Sequence, residues 1–435
     1  MPRKKKDNEF AMENGIRKTP SGSYEAAVYI GTSTTEFDKN GKPKKLYEWV
    51  TADTRKECKA LKTELENDVN NGQYSNLRNT LFSDYSSRWI KTISVGWTTL
   101  RDYKMYIRKH YNPYFGRYKL KDITEFLIKE FICLKQRTLS DTYVRKLFFI
   151  LNMMLEDALK GKNPCKDIEP PSPDNFVPYV PTDEEFDLLR NAVQNMFDEP
   201  IVLIAGWCGL REGEIFGLDT TDILEEGIRV DESSAIAEIE TDDKNYDGPK
   251  YEYRDKDPKS DNGKRVAVAP DELMNMLRSI VKTKAAEQKE DLKVISIEDI
   301  KESKKEIKPG IKLFDMRPDS YSKRFAKIIE YHNEMFDIRK KFGQAALDNY
   351  LKFHAKTSIR RNIKLQDKKL PDIRFHDLRH YHTTVLYEND IPDQYIANRI
   401  GDDIKTMKWV YQHLRLEKKT EIDVKVKNIF VKQNT

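Results

Sequence analysis

A proline-rich segment sets the organisation of this chain. Three of the five residues in Glu169-Pro170-Pro171-Ser172-Pro173 are prolines. Proline fixes φ and cannot donate a backbone hydrogen bond, so neither a helix nor a central strand can pass through this segment. The segment therefore predicts a stiff linker over residues 167–175. A chain of 435 residues is expected to hold roughly two to four domains, and this linker is the clearest boundary between them.

Residues 76–166, in front of the linker, are predicted to be helical. Phe82, Tyr85 and Trp89 recur at helical spacing, and Ser140 is a typical N-cap in front of a long apolar stripe. The pattern predicts a compact bundle of four or five helices. Its stripe of methionine and aromatic residues is interpreted as core rather than as a cofactor site.

The N-terminal region has a different pattern. Residues 1–13 are charged and lack periodicity, which predicts a flexible basic tail. Within residues 14–72, strand patterns at 23–30 and 46–50 are followed by Thr54 and Glu57 in the spacing of a capping box. We predict a three-stranded sheet plus one helix that ends near Val69, with a thin core and a polar outer sheet face.

Residues 176–435 are predicted to form a mixed α/β domain that is mostly helical. A buried helix is expected over 201–208, broken at Gly209, and strands are expected over 228–239 and 265–268. The fold class predicted for the whole chain is multidomain, mainly α with small β-sheets. Three polar stretches are interpreted as insertions: 240–258, 283–311 and 333–370.

The net charge of +5 hides two regions of opposite sign. From Thr80 to Lys166 there are 17 basic and 8 acidic residues, with aromatic residues between them. Such a module suggests a polyanionic partner, and nucleic acid is the default partner of this kind; the alternative is a solvated lysine-rich surface. From Asp222 to Asp257 there are 13 acidic and 5 basic residues, interpreted as a solvated insertion rather than as a two-metal nuclease site.

Several classes of protein are excluded or disfavoured. No run approaches the ~18 consecutive apolar residues of a membrane span, and no apolar segment follows the basic N-terminus, so neither a membrane protein nor a secreted one is expected. The four cysteines are scattered and form no CxxC pair, which predicts a reducing cytoplasm and no zinc ribbon. His376 and His380 have the spacing of half a zinc site, but no third ligand is obvious, and no metal is expected.

Three clusters carry the chemistry. The first is Gly209-Leu210-Arg211-Glu212-Gly213-Glu214, in which Glu214 can orient the guanidinium of Arg211. The second is His376-Asp377-Leu378-Arg379-His380, where the arginine offers a planar fork suited to phosphate. The third is an amphipathic segment over 404–414 that contains Tyr411, followed two residues later by His413. Each cluster alone is a weak signal.

Together, in this order, the clusters resemble the motifs of the tyrosine recombinase (phage-integrase) family. The first matches G-L-R-x-G-E and the second matches H-x-L-R-H. The third is similar to the helix that carries the nucleophile, and residues 255–270 look like the hairpin that carries a lysine. The resemblance is closest to integrases of conjugative transposons and temperate phages. It implies an arm-DNA-binding module over 14–72, a core-DNA-binding domain over 76–166, and a catalytic domain with a C-terminal tail over 176–435.

The resemblance implies a site-specific DNA recombinase that integrates or excises a mobile element through a 3′-phosphotyrosine intermediate. Tyr411 would be the nucleophile, and Lys259 the general acid, with Lys264 as its nearby rival. Several cations around one phosphate would stabilise the transition state without metal, ATP or any other cofactor. The implied catalytic residues are Arg211, Lys259, His376, Arg379 and Tyr411.

One position departs from the family pattern. The family usually has His or Trp after a Gly about nine or ten residues before the tyrosine, whereas this chain has Gly401-Asp402. A carboxylate there would repel the phosphate, unless it points away or holds a neighbouring side chain in orientation. His413 is a weak candidate for compensation, and a structural role for it is the simpler interpretation.

The resemblance also implies partners and a place of action. Double-stranded DNA would bind at core and arm sites, four protomers would assemble on it, and an excisionase or a DNA-bending protein would assist. The expected location is the nucleoid of a prokaryotic cytoplasm. The alternatives are a DNA-binding regulator with impaired cleavage and a type IB-like topoisomerase, with a metal nuclease as the remote option. The candidate phosphate contacts are Arg101, Lys104, Arg108, Lys109, Arg145 and Lys146.

Overall fold

A computed structural model of the chain describes residues 15–72, 74–174, 179–239, 250–256, 263–294, 310–354, 358–405 and 407. The chain divides into two compact units, Met1–Asn175 and Phe176–Thr435. The division lies at the end of the proline-rich segment.

The first unit contains a small sheet followed by helices. Its strands are β1 (Ile16–Lys18), β2 (Tyr24–Phe37) and β3 (Pro43–Ala52), antiparallel in the order β1-β2-β3. Its helices are α1 (Arg55–Asn70), α2 (Phe82–Thr92), α3 (Trp97–Tyr106), α4 (Asn112–Phe115), α5 (Glu125–Gln136) and α6 (Asp141–Leu159), and a π-helical turn, Ile107–Tyr111, joins α3 to α4.

Helix α1 packs on one face of the small sheet. Thr54 caps the helix, since its hydroxyl accepts a hydrogen bond from the Glu57 backbone N–H at 3.2 Å. Cys58 is buried against Ile16 and Ala26 in a thin core. The opposite sheet face differs from the prediction, because it exposes aromatic rings rather than polar groups alone. Tyr47 is 51% exposed and Trp49 47% exposed.

Helices α2 to α6 form the predicted bundle. Ser140 and Thr124 cap α6 and α5 through their side chains. The core is rich in aromatic rings, and two of its tyrosines satisfy their hydroxyl groups on α6. Tyr85 donates to the Met154 carbonyl at 2.6 Å and Tyr111 to that of Leu147 at 2.8 Å. These bonds let large amphipathic rings fill the bundle without leaving a buried donor unpaired.

The second unit surrounds a larger apolar core. Its helices are α7 (Asp183–Ala192), α8 (Asp198–Leu203), α9 (Glu212–Ile215), α10 (Asp271–Val294), α11 (Pro318–Phe342), α12 (Gln344–His354), α13 (Ser358–Asn362), α14 (Asp377–Glu388) and α15 (Asp393–Ile400). A π-helical turn, Ile204–Cys208, extends α8 up to Gly209, which adopts a left-handed φ of 68°. Its strands are β4 (Gly227–Val230), β5 (Ser233–Glu238), β6 (Tyr251–Lys256) and β7 (Arg265–Val268).

The strand-rich patch forms two separate ladders. The single strand predicted over 228–239 is wrong, because β4 ends at Val230 and pairs with β7, whereas β5 pairs with β6. The stretch 240–258 is not wholly an insertion, since β6 lies inside it. The acidic region over 222–257 therefore contributes strands β4, β5 and β6 to this domain.

The insertion predicted over 333–370 is also wrong. Helix α11 continues to Phe342 and buries Met335, and α12 buries Leu347. The side chain of Asn333 bonds the backbone of Leu370 in both directions, at 2.8 and 2.9 Å. Within 283–311, the part up to Val294 continues α10. Among the residues that the structure describes, no helix has both the length and the apolar character needed to cross a bilayer.

Candidate active site

Arg211 stands at the first turn of α9, where Glu214 holds it twice. One carboxylate oxygen of Glu214 accepts the Arg211 backbone N–H at 2.9 Å, and the other accepts Nη1 of its guanidinium at 2.8 Å. Gly213 lets this turn approach β5, because a Cβ there would lie 2.8 Å from the Ser233 hydroxyl and 2.9 Å from the Ser234 carbonyl oxygen. The glycine and the glutamate of this motif thus position the arginine.

Arg379 lies on α14 and is buried, with only 4% of its surface exposed. Its Nη1 donates to the carbonyl of Gly209 at 2.6 Å, and its Nη2 donates to the carbonyl of Ile400 at 2.8 Å. Each of these carbonyls lies at a left-handed glycine that ends a helical segment. The first belongs to Gly209 itself, and the second belongs to the residue before Gly401. Burial and the nearby charge of Arg211 lower the pKa of Arg379, which nevertheless stays protonated because a free guanidinium titrates above about 12.

Asp402 joins the two arginines. Its Oδ1 pairs with Nη2 of Arg211, and its Oδ2 accepts Nη2 of Arg379 at 2.6 Å. Gly401 adds its carbonyl to Arg211 at 3.1 Å. The carboxylate therefore does not point away from the cations. Arg211 and Arg379, which are far apart in the sequence, converge on one point.

Sequence reasoning missed two further arginines. Arg265, on β7, donates to both carboxylate oxygens of Glu214 at 3.3 and 2.8 Å and to the Arg399 carbonyl at 2.7 Å. Arg399 donates to the Val268 carbonyl at 2.8 Å. Burial alone would raise the pKa of Glu214, but the charges of Arg265, Arg211 and Arg379 lower it overall. The sequence offered only one hint, because both arginines lie beside predicted site motifs.

Three histidines crowd the same region. His376 stands at the start of α14 with its ring 5.1 Å from that of His380. Partial burial and the charge of Arg379 lower the pKa of His376, and burial lowers that of His380 to about 4. His382 is buried between the Gly206 carbonyl, 3.2 Å from Nδ1, and Arg399, which donates to Nε2 at 3.1 Å. These partners fix a neutral ring with its proton on Nδ1.

We expect the second unit to lose stability as the pH falls from 7 towards 5. An unfolded histidine binds its proton near pH 6.5, whereas burial lowers the pKa of His382 to about 3. In this window the unfolded state binds more protons, so stability rises with pH and is lost on acidification. Denaturant unfolding at pH 7 and 5 should show a loss of about 1–2 kcal/mol from His382. His382→Asn should make the slope shallower, and an unchanged slope would contradict this account.

The predicted DNA contacts lie on α3, α6 and the turn after α3. Lys146 places its ammonium 5.4 Å from the Tyr106 ring centroid, which brings α6 beside the end of α3. Arg101 pairs with Asp102 at 2.7 Å. Arg145 stacks on Phe149 and donates to the Pro171 carbonyl at 2.9 Å. Arg145 therefore contacts the proline-rich linker, which the sequence did not indicate.

Some predicted site residues lie outside the described residues. Lys259 falls between β6 and β7, and Tyr411 and His413 follow the last described position, Met407. Lys264 is described and stands exposed immediately before Arg265. Across the described positions, no group of three or more His, Cys, Asp or Glu side chains is arranged to hold a metal ion.

Comparison with known proteins places these features in context. Residues 81–133 match the family described as "Phage integrase, N-terminal SAM-like domain". The chain is 23% identical to a tyrosine recombinase XerC-like protein of Caldanaerobacter subterraneus subsp. tengcongensis, over 93% of this chain and 96% of that protein. It is 25% identical to an integrase of Mycobacterium phage FRAT1, over 33% of this chain and 44% of that integrase.

The fold is similar to that of a solved integrase. The structure of the Tn1549 transposon integrase in complex with transposon right end DNA matches with a TM-score of 0.53 and 16% identity, over 78% of this chain and 99% of that one. The predicted fold class, mainly helical with small sheets, is confirmed. The sequence-based recognition is confirmed as well: the chain is similar to tyrosine recombinases and phage integrases in sequence and to a transposon integrase in fold.

Proposed function

We propose that this chain cleaves and rejoins DNA at specific sites through Tyr411, and so integrates and excises a mobile element. Similarity to a tyrosine recombinase XerC-like protein and to the phage-integrase SAM-like domain supports site-specific DNA recombination as its class of activity. The observation that carries the proposal is the convergence of Arg211 and Arg379 on one point, with His376 at the edge of the same region. Two guanidinium forks aimed at one point are suited to the non-bridging oxygens of a phosphodiester.

The proposed reaction conserves bond energy. The Tyr411 hydroxyl gives its proton to solvent water and its oxygen attacks phosphorus, a 3′-phosphotyrosyl bond forms, and the bond to the 5′-oxygen breaks. Lys259 donates a proton to that leaving oxygen, with Lys264 as the alternative donor. Arg211 and Arg379 stabilise the charge that grows on the phosphoryl oxygens. In the second step a 5′-hydroxyl attacks the phosphotyrosine and releases Tyr411, so rejoining needs no external energy source.

The helical bundle is proposed to bind the core site through its basic side chains. Arg101, Lys104 and Arg108 follow one another at intervals that place them on one face of the segment from α3 into the next turn. Lys146 lies against Tyr106 on that segment. A cationic strip of this kind positions a protein on the DNA backbone and gives steep salt dependence.

The N-terminal sheet is proposed to bind a second DNA segment, the arm site. Its outer face carries Trp49, with the Arg17 guanidinium 4.8 Å from the ring centroid, beside Tyr29 and Tyr47. β-Sheets can read DNA from a groove, and two sites on one chain allow bridging. Four protomers on two duplexes, with an excisionase or a DNA-bending protein as helper, complete the proposed assembly in the nucleoid of a prokaryotic cytoplasm. The tail over 416–435 would join neighbouring protomers.

A suicide-substrate assay tests the cleavage step. The protein is incubated in EDTA with a nicked duplex that carries an end of its element, and covalent protein–DNA complexes are separated under denaturing conditions. We expect a covalent band that disappears in Tyr411→Phe. The matched control is Tyr395→Phe, which removes the hydroxyl of a tyrosine that is 52% exposed on α15 and should leave the band intact. A band that persists in Tyr411→Phe would refute the assigned nucleophile.

A DNA-binding regulator with impaired cleavage is the second candidate, and one observation favours it. The Asp402 carboxylate already pairs with both arginines that would hold the phosphate. Binding to the duplex without any covalent band in the wild-type protein would support this candidate. Relaxation of supercoiled DNA without recombination would instead support the topoisomerase alternative.

A further inference from the structure

The backbone at Asp402 is fixed by the end of helix α15. The Gly401 N–H donates to the Asn398 carbonyl at 3.2 Å, and the Asp402 N–H donates to the Ala397 carbonyl at 3.0 Å. With Gly401 at a left-handed φ of 66°, this is a Schellman motif. The helix beneath it is anchored by the buried residues Ile396 and Ile400. The position of Asp402 is therefore set by the fold and does not depend on its contact with the arginines.

The Asp402 carboxylate accepts hydrogen bonds from the Nη2 groups of both Arg211 and Arg379. Nη2 of Arg211 serves the Gly401 carbonyl and Asp402. Nη2 of Arg379 serves the Ile400 carbonyl and Asp402. Each Nη2 carries two protons, so neither has one left for a further acceptor. A phosphate can bond these nitrogens only after the carboxylate has left.

A carboxylate resembles the recognised part of a phosphodiester. Both present two oxygens that share one negative charge, and both accept from two guanidinium forks. We propose that Asp402 is an internal substitute for the scissile phosphate: it holds Arg211 and Arg379 together before DNA binds, and the phosphate displaces it. This inference rests on the proposed function and adds a competitor within the same site.

Displacement is sterically simple. The Asp402 side chain is 29% exposed, and rotation about its Cα–Cβ bond carries the carboxylate away while the Schellman motif keeps the main chain in place. The backbone carbonyls of Gly209, Ile400 and Gly401 remain bonded to the guanidiniums. The arginines thus keep their orientation when the phosphate takes over from the carboxylate.

Anion binding to the full-length, DNA-free protein tests the inference directly. Sulfate is titrated at constant ionic strength against sodium chloride, and the affinity is obtained from the rise of the unfolding temperature. Asp402→Asn should bind sulfate at least about tenfold more tightly than wild type, because the competing charged hydrogen bonds are gone. A double variant that combines Arg211→Gln with Asp402→Asn should lose this increase in sulfate affinity. That result would locate the bound anion at this site.

Two further variants make the test decisive. Asp403→Asn is the matched control, since the Asp403 carboxylate accepts the Lys405 N–H at 3.0 Å and should leave sulfate affinity at the wild-type value. Asp402→His introduces the residue type that the family usually has at this place, and it should bind sulfate more tightly than wild type even if Asp402→Asn does not fold. Unchanged sulfate affinity in the folded Asp402 variants would overturn the inference and make Asp402 a fixed positioning residue.

The cleavage assay separates this inference from the proposed function. When the nicked duplex is titrated against each protein, Asp402→Asn should form the covalent complex at a lower DNA concentration than wild type does. Tighter sulfate binding without a covalent band in any variant would show that Asp402 competes with an anion for the two arginines and would refute the cleavage function. A covalent band in wild type that is lost in Asp402→Asn and Asp402→His, with no gain in sulfate affinity, would retain the function and refute the inference.

Discussion

Replacing Arg379 with lysine should slow covalent complex formation by about a thousandfold, although the positive charge is kept. The loss of one preorganised donor to a developing oxyanion typically costs about 10²–10³ in rate. Here the planar fork serves the Gly209 carbonyl, the Ile400 carbonyl and the shared acceptor at the same time. A lysine has a single nitrogen that cannot reach separate carbonyls while it contacts a phosphate.

The readout for Arg379→Lys is the rate at saturating nicked duplex, with DNA affinity measured separately. The matched control is Arg278→Lys, because Arg278 also donates to a backbone carbonyl, that of Glu225 at 2.9 Å, but lies on α10 among exposed contacts. The control should keep the wild-type rate. A rate for Arg379→Lys within about threefold of wild type would show that charge alone suffices at this position and would contradict the geometric account.

The sequence predicted the local parts of the site well, because local rules determine them. A glycine that ends a helix at Gly209, an arginine at the next helix start and a glutamate three residues on are all defined within six positions. The convergence of Arg211 with Arg379 was expected only through resemblance. The roles of Arg265 and Arg399 depend on long-range packing of β7 against α15, which no local pattern encodes.

Two errors in the fold have a shared physical cause. The stretch 333–370 was interpreted as an insertion because its composition is polar, yet a few buried residues such as Met335 and Leu347 suffice to pack α11 and α12 on the domain. The outer face of the N-terminal sheet was expected to be polar, but alternation in β3 places Tyr47 and Trp49 on the side opposite α1. Average polarity therefore missed both the packing of α11 and α12 on the domain and the exposed aromatic rings of the sheet. The residue-by-residue periodicity of each element would have predicted both features.

Gly209 gives the second large prediction, since three features of the site meet there. Its carbonyl holds Arg379, its left-handed φ of 68° ends the helical segment before Arg211, and a Cβ at this position would collide with the ring of His382. Gly209→Ala should therefore destabilise the second unit by about 2–5 kcal/mol, from about 1–2 kcal/mol of backbone strain and about 1–3 kcal/mol of overpacking. Denaturant unfolding measures this loss.

The variant Gly72→Ala separates the backbone strain of the Gly209 substitution from its overpacking. Gly72 has the same φ of 68°, but a Cβ there would meet no atom within 4 Å, so this variant should lose only about 1–2 kcal/mol. The two units can unfold in separate transitions, and each variant is therefore compared with wild type in the transition of its own unit.

Gly209→Ala should also cut the rate of covalent complex formation at least about tenfold, because the displaced His382 ring no longer supports Arg399 and the Gly209 carbonyl shifts under Arg379. Equal destabilisation by both alanines, with an unchanged rate, would show that the His382 contact relaxes freely and that the Gly209 carbonyl does not position Arg379.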